Sequence, residues 1–225
     1  MFTLGLDLPV LDEKKIIGGG YRLAMCPVCG SSDRERLLYL FLHQRTNIFI
    51  ENIRLLHIAP EKNLKRIFAN CQNIDYLTAD LNPEEVMVKI DVTKIQYPDN
   101  TFDAIICNHV LEHIIDDSKA MKELLRVLKP GGWAVLQVPV SLTLEKTFED
   151  ATVITPEERE KVFGQKDHVR IYGKDYTQRL RESGFVVYEF KWKDYPVFGG
   201  AQNKYTLNKD EVVYFCTKSD ATENH

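Results

Sequence analysis

The sequence predicts an α/β fold: a mainly parallel, seven-stranded sheet with helices on both faces and a C-terminal antiparallel strand. Three observations carry that expectation. From Ile53 onward, short apolar runs alternate with amphipathic stretches, the rhythm of strands joined by right-handed crossover helices. The run "TFDAIICNHV" is almost continuously apolar, as a strand buried on both faces must be. The chain closes on helix, strand, loop and strand, which folds back as a hairpin and reverses one strand. A length of 225 residues suits one domain with a small attachment and a substantial core.

Taken in order, residues 1–50 read as an N-terminal extension. Its first 30 residues look irregular, with Gly18, Gly19 and Gly20 as a flexible joint and "CPVCG" as a turn. "RERLLYLFLHQ" then gives a helix that is apolar over most of its surface and therefore packs against something larger. Residues 51–218 carry the repeating pattern. "IRLLHI" is a strand, and in "NLKRIFANC" the residues Leu64, Ile67, Phe68 and Cys71 share one helix face. "IDYLTAD" and the shorter "EVMVKIDV" follow as strands, then "TFDAIICNHV". Asp116 and Asp117 open a helix with Ala120, Leu124, Val127 and Leu128 on one side. "LKPGG" ends that helix, because proline and two glycines do not continue it, and "WAVLQVP" is the next strand. Between Val140 and Gly173 the rhythm breaks in an insertion too long for a simple connection. Helix "KDYTQRLRES", strand "FVVYEFKW" and strand "EVVYFCTK" complete the unit, and 219–225 read as a disordered tail.

Composition narrows the partners. The apolar fraction is 44% and the net charge is -4, so there is no overall attraction to phosphate backbones. Arg34 with Arg36, and Arg179 with Arg181, are short basic pairs that read as solvated helix faces. No run reaches the length of a membrane span, and the acidic start at Asp7, Asp12 and Glu13 is unlike a signal peptide, so a cytoplasmic location is expected. The sequence carries no signal for an oligomeric state. Five scattered cysteines point to reduced thiols. Cys26 and Cys29 in "CPVCG" have the form of a zinc knuckle but lack a second pair of ligands. His43 or Asp33 are the nearest candidates to complete it, and a simple turn before the helix is the preferred reading. No metal ligands are assigned.

The stretches "IDYLTADL", "VKIDVTKIQYPDNTFDAIICNHVLEHIIDDSKAMKELLRVLKPGGWAVLQVP" and "LRESGFVV" resemble the class I S-adenosylmethionine-dependent methyltransferases, closely from Ile53 to about Pro139 and more loosely through Thr217. The resemblance implies a Rossmann-like sheet, S-adenosyl-L-methionine as cofactor and a small-molecule acceptor. Asp80, with Leu81 beside it, ends the second strand, where a carboxylate accepts bonds from ribose hydroxyls; capping the next turn is the alternative. Asp91 ends the third strand and is placed to accept from an adenine amino group, with Val92 offering a backbone amide; again the alternative is a turn cap. Asn108 and His109 leave the fourth strand at the ligand-binding edge. His109 is a candidate base for an acceptor hydroxyl or amine, against a purely local role. The resemblance further implies that the extension folds over the cofactor, bringing Tyr21 and Arg22 to it, and that the insertion contributes to the acceptor site. His113, His168, Arg170 and Tyr172 are therefore candidate acceptor contacts, with His168 a second candidate base; a solvated loop is the alternative.

The turn after the first strand departs from the family pattern. His57 stands at the usual acidic position, and Ala59 and Glu61 replace the two glycines of a Gly-x-Gly turn. Glycine there permits positive φ and close backbone approach, while Pro60 stiffens the turn. Glu61 at a helix start would repel a phosphate, yet it can pair with the cofactor's α-ammonium group, so Ala59 and Glu61 are expected cofactor contacts. The expected function is methyl transfer to an oxygen or nitrogen of a small molecule. A nucleic-acid or protein methyltransferase, and a non-catalytic binding module, are the alternatives.

Overall fold

In a computed structural model, the structure describes residues 2–4, 7–198 and 203–220. The extension contributes β1 (Phe2–Leu4), α1 (Pro9–Glu13), β2 (Arg22–Met25) and α2 (Asp33–Arg45). The repeating region contributes β3 (Ile53–Ile58), α3 (Lys62–Phe68), β4 (Ile74–Asp80), β5 (Val88–Lys89), β6 (Phe102–Cys107), α4 (Asp117–Val127) and β7 (Leu128–Val135). The insertion holds β8 (Phe148–Glu149), α5 (Pro156–Phe163) and β9 (Arg170–Ile171). The chain closes with α6 (Tyr176–Glu182), β10 (Val186–Lys191) and β11 (Val212–Thr217).

The seven-stranded sheet runs β10-β11-β7-β6-β3-β4-β5. β3 pairs in parallel with β4 and β6, β4 with β5, and β6 with β7, whereas β11 is antiparallel to both its neighbours. The apolar runs serve two cores at once. Leu56, Ile105 and Ala134 face one core with Met121, Leu124 and Leu180. Their neighbours Leu55, Ile106 and Val135 face the other, with Phe41, Leu42, Leu64 and Phe68. Adjacent residues of one strand thus bury to opposite sides, which requires helices on both faces. α2 starts on a reciprocal cap between Ser32 and Glu35, and α4 on the Asp116 side chain, which accepts from the Lys119 amide.

Three local expectations change. The first 30 residues are not simply irregular, because β1 pairs antiparallel with β2 across α1. Neither strand is long enough to show a period of its own. "LKPGG" ends α4 but already lies within β7, at a register shift between Phe102 and Ala104 where Gly131 takes φ 71°. Gly132 is required there, since a Cβ would lie 2.8 Å from the Asp103 carbonyl oxygen. Three of the four paired arginines are not solvated, and only Arg181 is exposed. Arg36 donates to the carbonyls of Ala24, Ser31, Tyr205 and Thr206, and Arg179 to buried Asp117. The expected disordered tail falls outside the described residues from position 221 onward. No helix among the described residues is long and apolar enough to cross a membrane.

Candidate active site

Two cavities lie at the C-terminal edge of the parallel strands, where open α/β sheets hold their ligands. The first, about 410 Å³, is bounded by Ala59 and Pro60 after β3, Asp80 at the end of β4, Asn82, and Lys65 of α3. Ala59 holds φ 47°, the conformation for which glycine is the usual residue, while its amide donates to the Ala79 carbonyl at 2.8 Å. One Asp80 oxygen accepts from the Asn82 amide at 2.8 Å. Asp91 similarly uses one oxygen for the Thr93 amide and hydroxyl, which hold its carboxyl below its ordinary pKa. Both turn caps are therefore formed, and each occupies one oxygen of its carboxylate. Leu81 is exposed and Val92 buried.

Glu61 does not project freely into this cavity. Its carboxylate accepts from Asn108 Nδ2 at 2.9 Å and lies 2.8 Å from His57 Nε2, and the opposite nitrogen of His57 meets the Tyr76 hydroxyl at 2.9 Å. Burial alone would raise the Glu61 pKa, but the His57 bond and charge, with the Asn108 bond, bring it down to about 2. The consequence falls on Asn108, whose Oδ1 is buried without a hydrogen-bond partner among the described residues. An N–H donor from a ligand would satisfy that oxygen, and an α-ammonium group has that chemistry.

The second cavity, about 310 Å³, opens beyond β6 and β7. His109, Glu112 and His113 form one wall, Gly18 to Gly20 with Arg22 of the extension another, and Phe163 to Gln165 with His168 of the insertion a third. The Ile17 amide donates to the Val140 carbonyl at 2.8 Å, and the Ser141 hydroxyl to the Lys14 carbonyl at 2.6 Å. These bonds clip the extension over the sheet edge.

His109 adopts φ 54°, a strained conformation for a non-glycine residue, and its amide donates to the Gln137 carbonyl at 2.7 Å. Its ring lies 2.9 Å from Arg34 Nη1 and 3.3 Å from Glu112 Oε1. Burial and then the Arg34 charge lower its pKa, against the pull of Glu112. His168 is likewise lowered, first by burial.

The other candidates separate cleanly. His113 and His168 come together at the second cavity, their ring centroids 4.7 Å apart. Arg170 and Tyr172 are instead framework. Arg170, 2% exposed, donates to the carbonyls of Leu111, Ile114 and Ile115 and to Glu149, and the buried Tyr172 hydroxyl donates to Asp117 at 2.7 Å. The polar atoms of both are thus engaged within the protein, although Arg170 also lines the second cavity. Tyr21 is exposed, and Arg22 makes a two-pronged contact with Asp33 at 2.9 and 3.1 Å and donates to the Gly18 carbonyl. Arg22 nonetheless lines the second cavity. Cys26 and Cys29 gain no third ligand among the described residues: Asp33 is held by Arg22, and His43 packs against Tyr39 and Phe49.

Two residues escaped the sequence reading. Arg34 reaches the site from α2, and Glu112 is a buried carboxylate whose Oε2 has no hydrogen-bond partner among the described residues. A buried, unpartnered carboxylate oxygen costs at least about 1–3 kcal/mol. Only its place in "LEH", three residues after His109, hinted at it.

A sequence-family profile described as "Methyltransferase domain" matches residues 56–136. A ubiquinone/menaquinone biosynthesis C-methyltransferase UbiE from Idiomarina loihiensis is 38% identical over 65 residues, 28% of this chain and 26% of its own length. The chloroplastic 2-methyl-6-phytyl-1,4-hydroquinone methyltransferase 1 of Oryza sativa subsp. japonica is 31% identical over 148 residues, 61% of this chain and 41% of its own. The chain thus spans less than two thirds of the length of these curated relatives. Among solved structures, an S-adenosylmethionine-dependent methyltransferase from Mesorhizobium loti shares the fold at a TM-score of 0.50 and 12% identity, over 83% of this chain and 98% of that one.

Proposed function

We propose, from the premise that this chain belongs to the class I S-adenosylmethionine-dependent methyltransferases, that it transfers a methyl group to an oxygen or nitrogen of a small molecule. The observation that carries this reading is the pairing of the two cavities along one sheet edge. One lies beside the strand-end carboxylate of Asp80, suited to a nucleoside, and the other beside the His109 imidazole, while Asn108 with its unpartnered Oδ1 follows directly on β6. S-adenosylmethionine, when bound, supplies an electrophilic methyl on a sulfonium leaving group. It carries no phosphate, so a turn bearing Glu61 in place of glycine is compatible with it.

In this reading, Asp80 holds the ribose hydroxyls with the oxygen not used by Asn82, and Asp91 and Val92 lie toward the adenine. Asn108 Oδ1 accepts from the α-ammonium group. Glu61 acts at one remove, fixing the Asn108 amide so that its carbonyl faces the ligand. His109 takes the proton that an acceptor hydroxyl or amine loses as its lone pair is used. The extension and insertion exclude water and align the acceptor, which is most of what such a transfer needs.

Carbon methylation is the second reading, favoured by the quinone-type C-methyltransferases named above. A nucleic-acid acceptor is disfavoured because Arg36, Arg170 and Arg179 spend their charge inside the fold.

Calorimetry with S-adenosylhomocysteine tests the proposal. Binding should weaken about 10- to 100-fold in Asp80→Ala, the loss of one or two charge-assisted hydrogen bonds. No heat at millimolar ligand with the unaltered protein would overturn the cofactor assignment and remove the ground for a catalytic role.

A further inference from the structure

We propose that Glu112, His113 and His168 form a site for one divalent first-row transition-metal ion, open to the cavity that His109 lines. Each residue offers one ligand atom, and these atoms all lie within 4.8 Å of one another. Ligands around a single ion with bonds of about 2.1 Å stand roughly 3–4 Å apart, so small side-chain rotations close the set. The three residues come from two segments far apart in sequence, the turn after β6 and the insertion before β9. The Val169 amide ties those segments together by donating to the Glu112 carbonyl at 3.0 Å.

An independent observation points to a cation. Glu112 Oε2 is buried and has no hydrogen-bond partner among the described residues. Nearby His113 has Nδ1 3.3 Å from both the carbonyl and a carboxylate oxygen of Asp167, an outer contact of the kind that orients metal-bound histidines. Two imidazoles with one carboxylate suit cobalt, zinc, iron or manganese better than magnesium or calcium, which favour all-oxygen ligation. Three protein ligands leave coordination positions open toward the 310 Å³ cavity, the pattern of a working rather than a structural ion.

The use of this ion rests on the methyltransferase reading, and it narrows the acceptor to a small molecule with a hydroxyl able to ligate a metal. The hydroxyl oxygen binds at an open position, which lowers its pKa. Its proton passes to solvent water. The oxygen then bonds to the methyl carbon as the carbon–sulfur bond breaks, its electron pair remaining on sulfur to give the neutral thioether.

The test uses the full chain, stripped of metal and titrated with Co²⁺ alone. The expected result is a saturable visible absorption band at one ion per chain, unchanged in Cys29→Ser, which removes the "CPVCG" pair as a competing ligand source. His113→Ala and His168→Ala should each weaken binding by at least about tenfold, the scale of lost metal ligation or its support, while His43→Ala binds as the unaltered protein does. His113 is partly exposed, so its replacement decides the matter alone if His168→Ala does not fold. Absence of a saturable band, equal binding in His113→Ala, or loss of the band in Cys29→Ser overturns the site. S-adenosylhomocysteine binding is measured separately. Cobalt binding without it leaves the site standing and removes the methyltransferase reading, and the converse removes only the site.

Discussion

The two ends of the ligand-binding edge are built differently. At the β3–β4 end, Ala59, Asp80 and Asn82 border an open cavity, and the polar contacts of Asp80 are local turn bonds. At the β6–β7 end, His109, Glu112 and His168 lie beneath the extension and the insertion, and the cover is held by buried long-range pairs. Asp117 alone meets Arg179 at 2.7 Å and Tyr172 at 2.7 Å, with Arg170 at 3.7 Å. The first end is made by strand ends and can change without disturbing the fold. The second exists only when three distant segments are docked, so its chemistry and its stability are coupled.

The largest expected effect breaks that docking. Asp117→Ala leaves two arginines and a buried hydroxyl without their shared partner and should cost about 3–5 kcal/mol in urea unfolding, with faster proteolysis between 140 and 173. Asp80→Ala, by contrast, should remain within about 0.5 kcal/mol of the unaltered protein. Equal losses from both would erase the distinction between the two ends.

Next in size is a pH effect from Glu211, which lies near the junction of the two ends. Its side chain is buried, with an unpartnered Oε2 among the described residues, and faces Arg34, Asp33 and Arg22. Burial, opposed by Arg34 and aided by Asp33, raises its pKa from 4.5 to about 7. Between those values the folded state keeps a proton that the unfolded state releases. The stabilisation is therefore complete below pH 4.5 and lost as pH rises through 7, to a total of about 3 kcal/mol. Glu211→Gln should lack that decline and exceed the unaltered protein in stability at pH 8. Superimposable pH profiles for the two proteins would show that Glu211 carries no such coupling.

The smallest effect sharpens the picture of the open end. Ala59 occupies φ 47°, so Ala59→Gly relieves left-handed strain at a smaller entropic cost and should gain about 0.5–1 kcal/mol. A loss on that substitution would mean that the alanine methyl contributes packing worth more than the strain.

Much of the fold was legible because its signals are local. "IDYLTAD" forms β4 over its whole length, and "TFDAIIC" reads as a doubly buried strand because both faces of β6 meet a core. Asp80, Asp91, Asn108 and His109 stand as candidates for the same reason, since they lie at or just past strand ends. The insertion was harder. His168 and Arg170 stand two apart in sequence, which in an extended segment suggests a shared side and a shared ligand. Arg170 instead turns into the carbonyls that follow β6, and Glu112 is the residue that joins His168. Arg34 looked like surface charge because the sequence does not reveal that the start of α2 lies against His109.

The sequence by itself determined the strand order along the chain, the two-sided burial of the sheet and the carboxylates at its ligand edge, because periodicity and strand ends are properties of neighbouring residues. Only the tertiary structure decided that Glu61 is held by His57 and Asn108, that Tyr172 and Arg170 are framework, and that Glu112, His113 and His168 share one point in space. Those outcomes depend on contacts between segments tens of residues apart. There, the need to satisfy buried charges and hydrogen bonds, rather than any local pattern, chooses the partner.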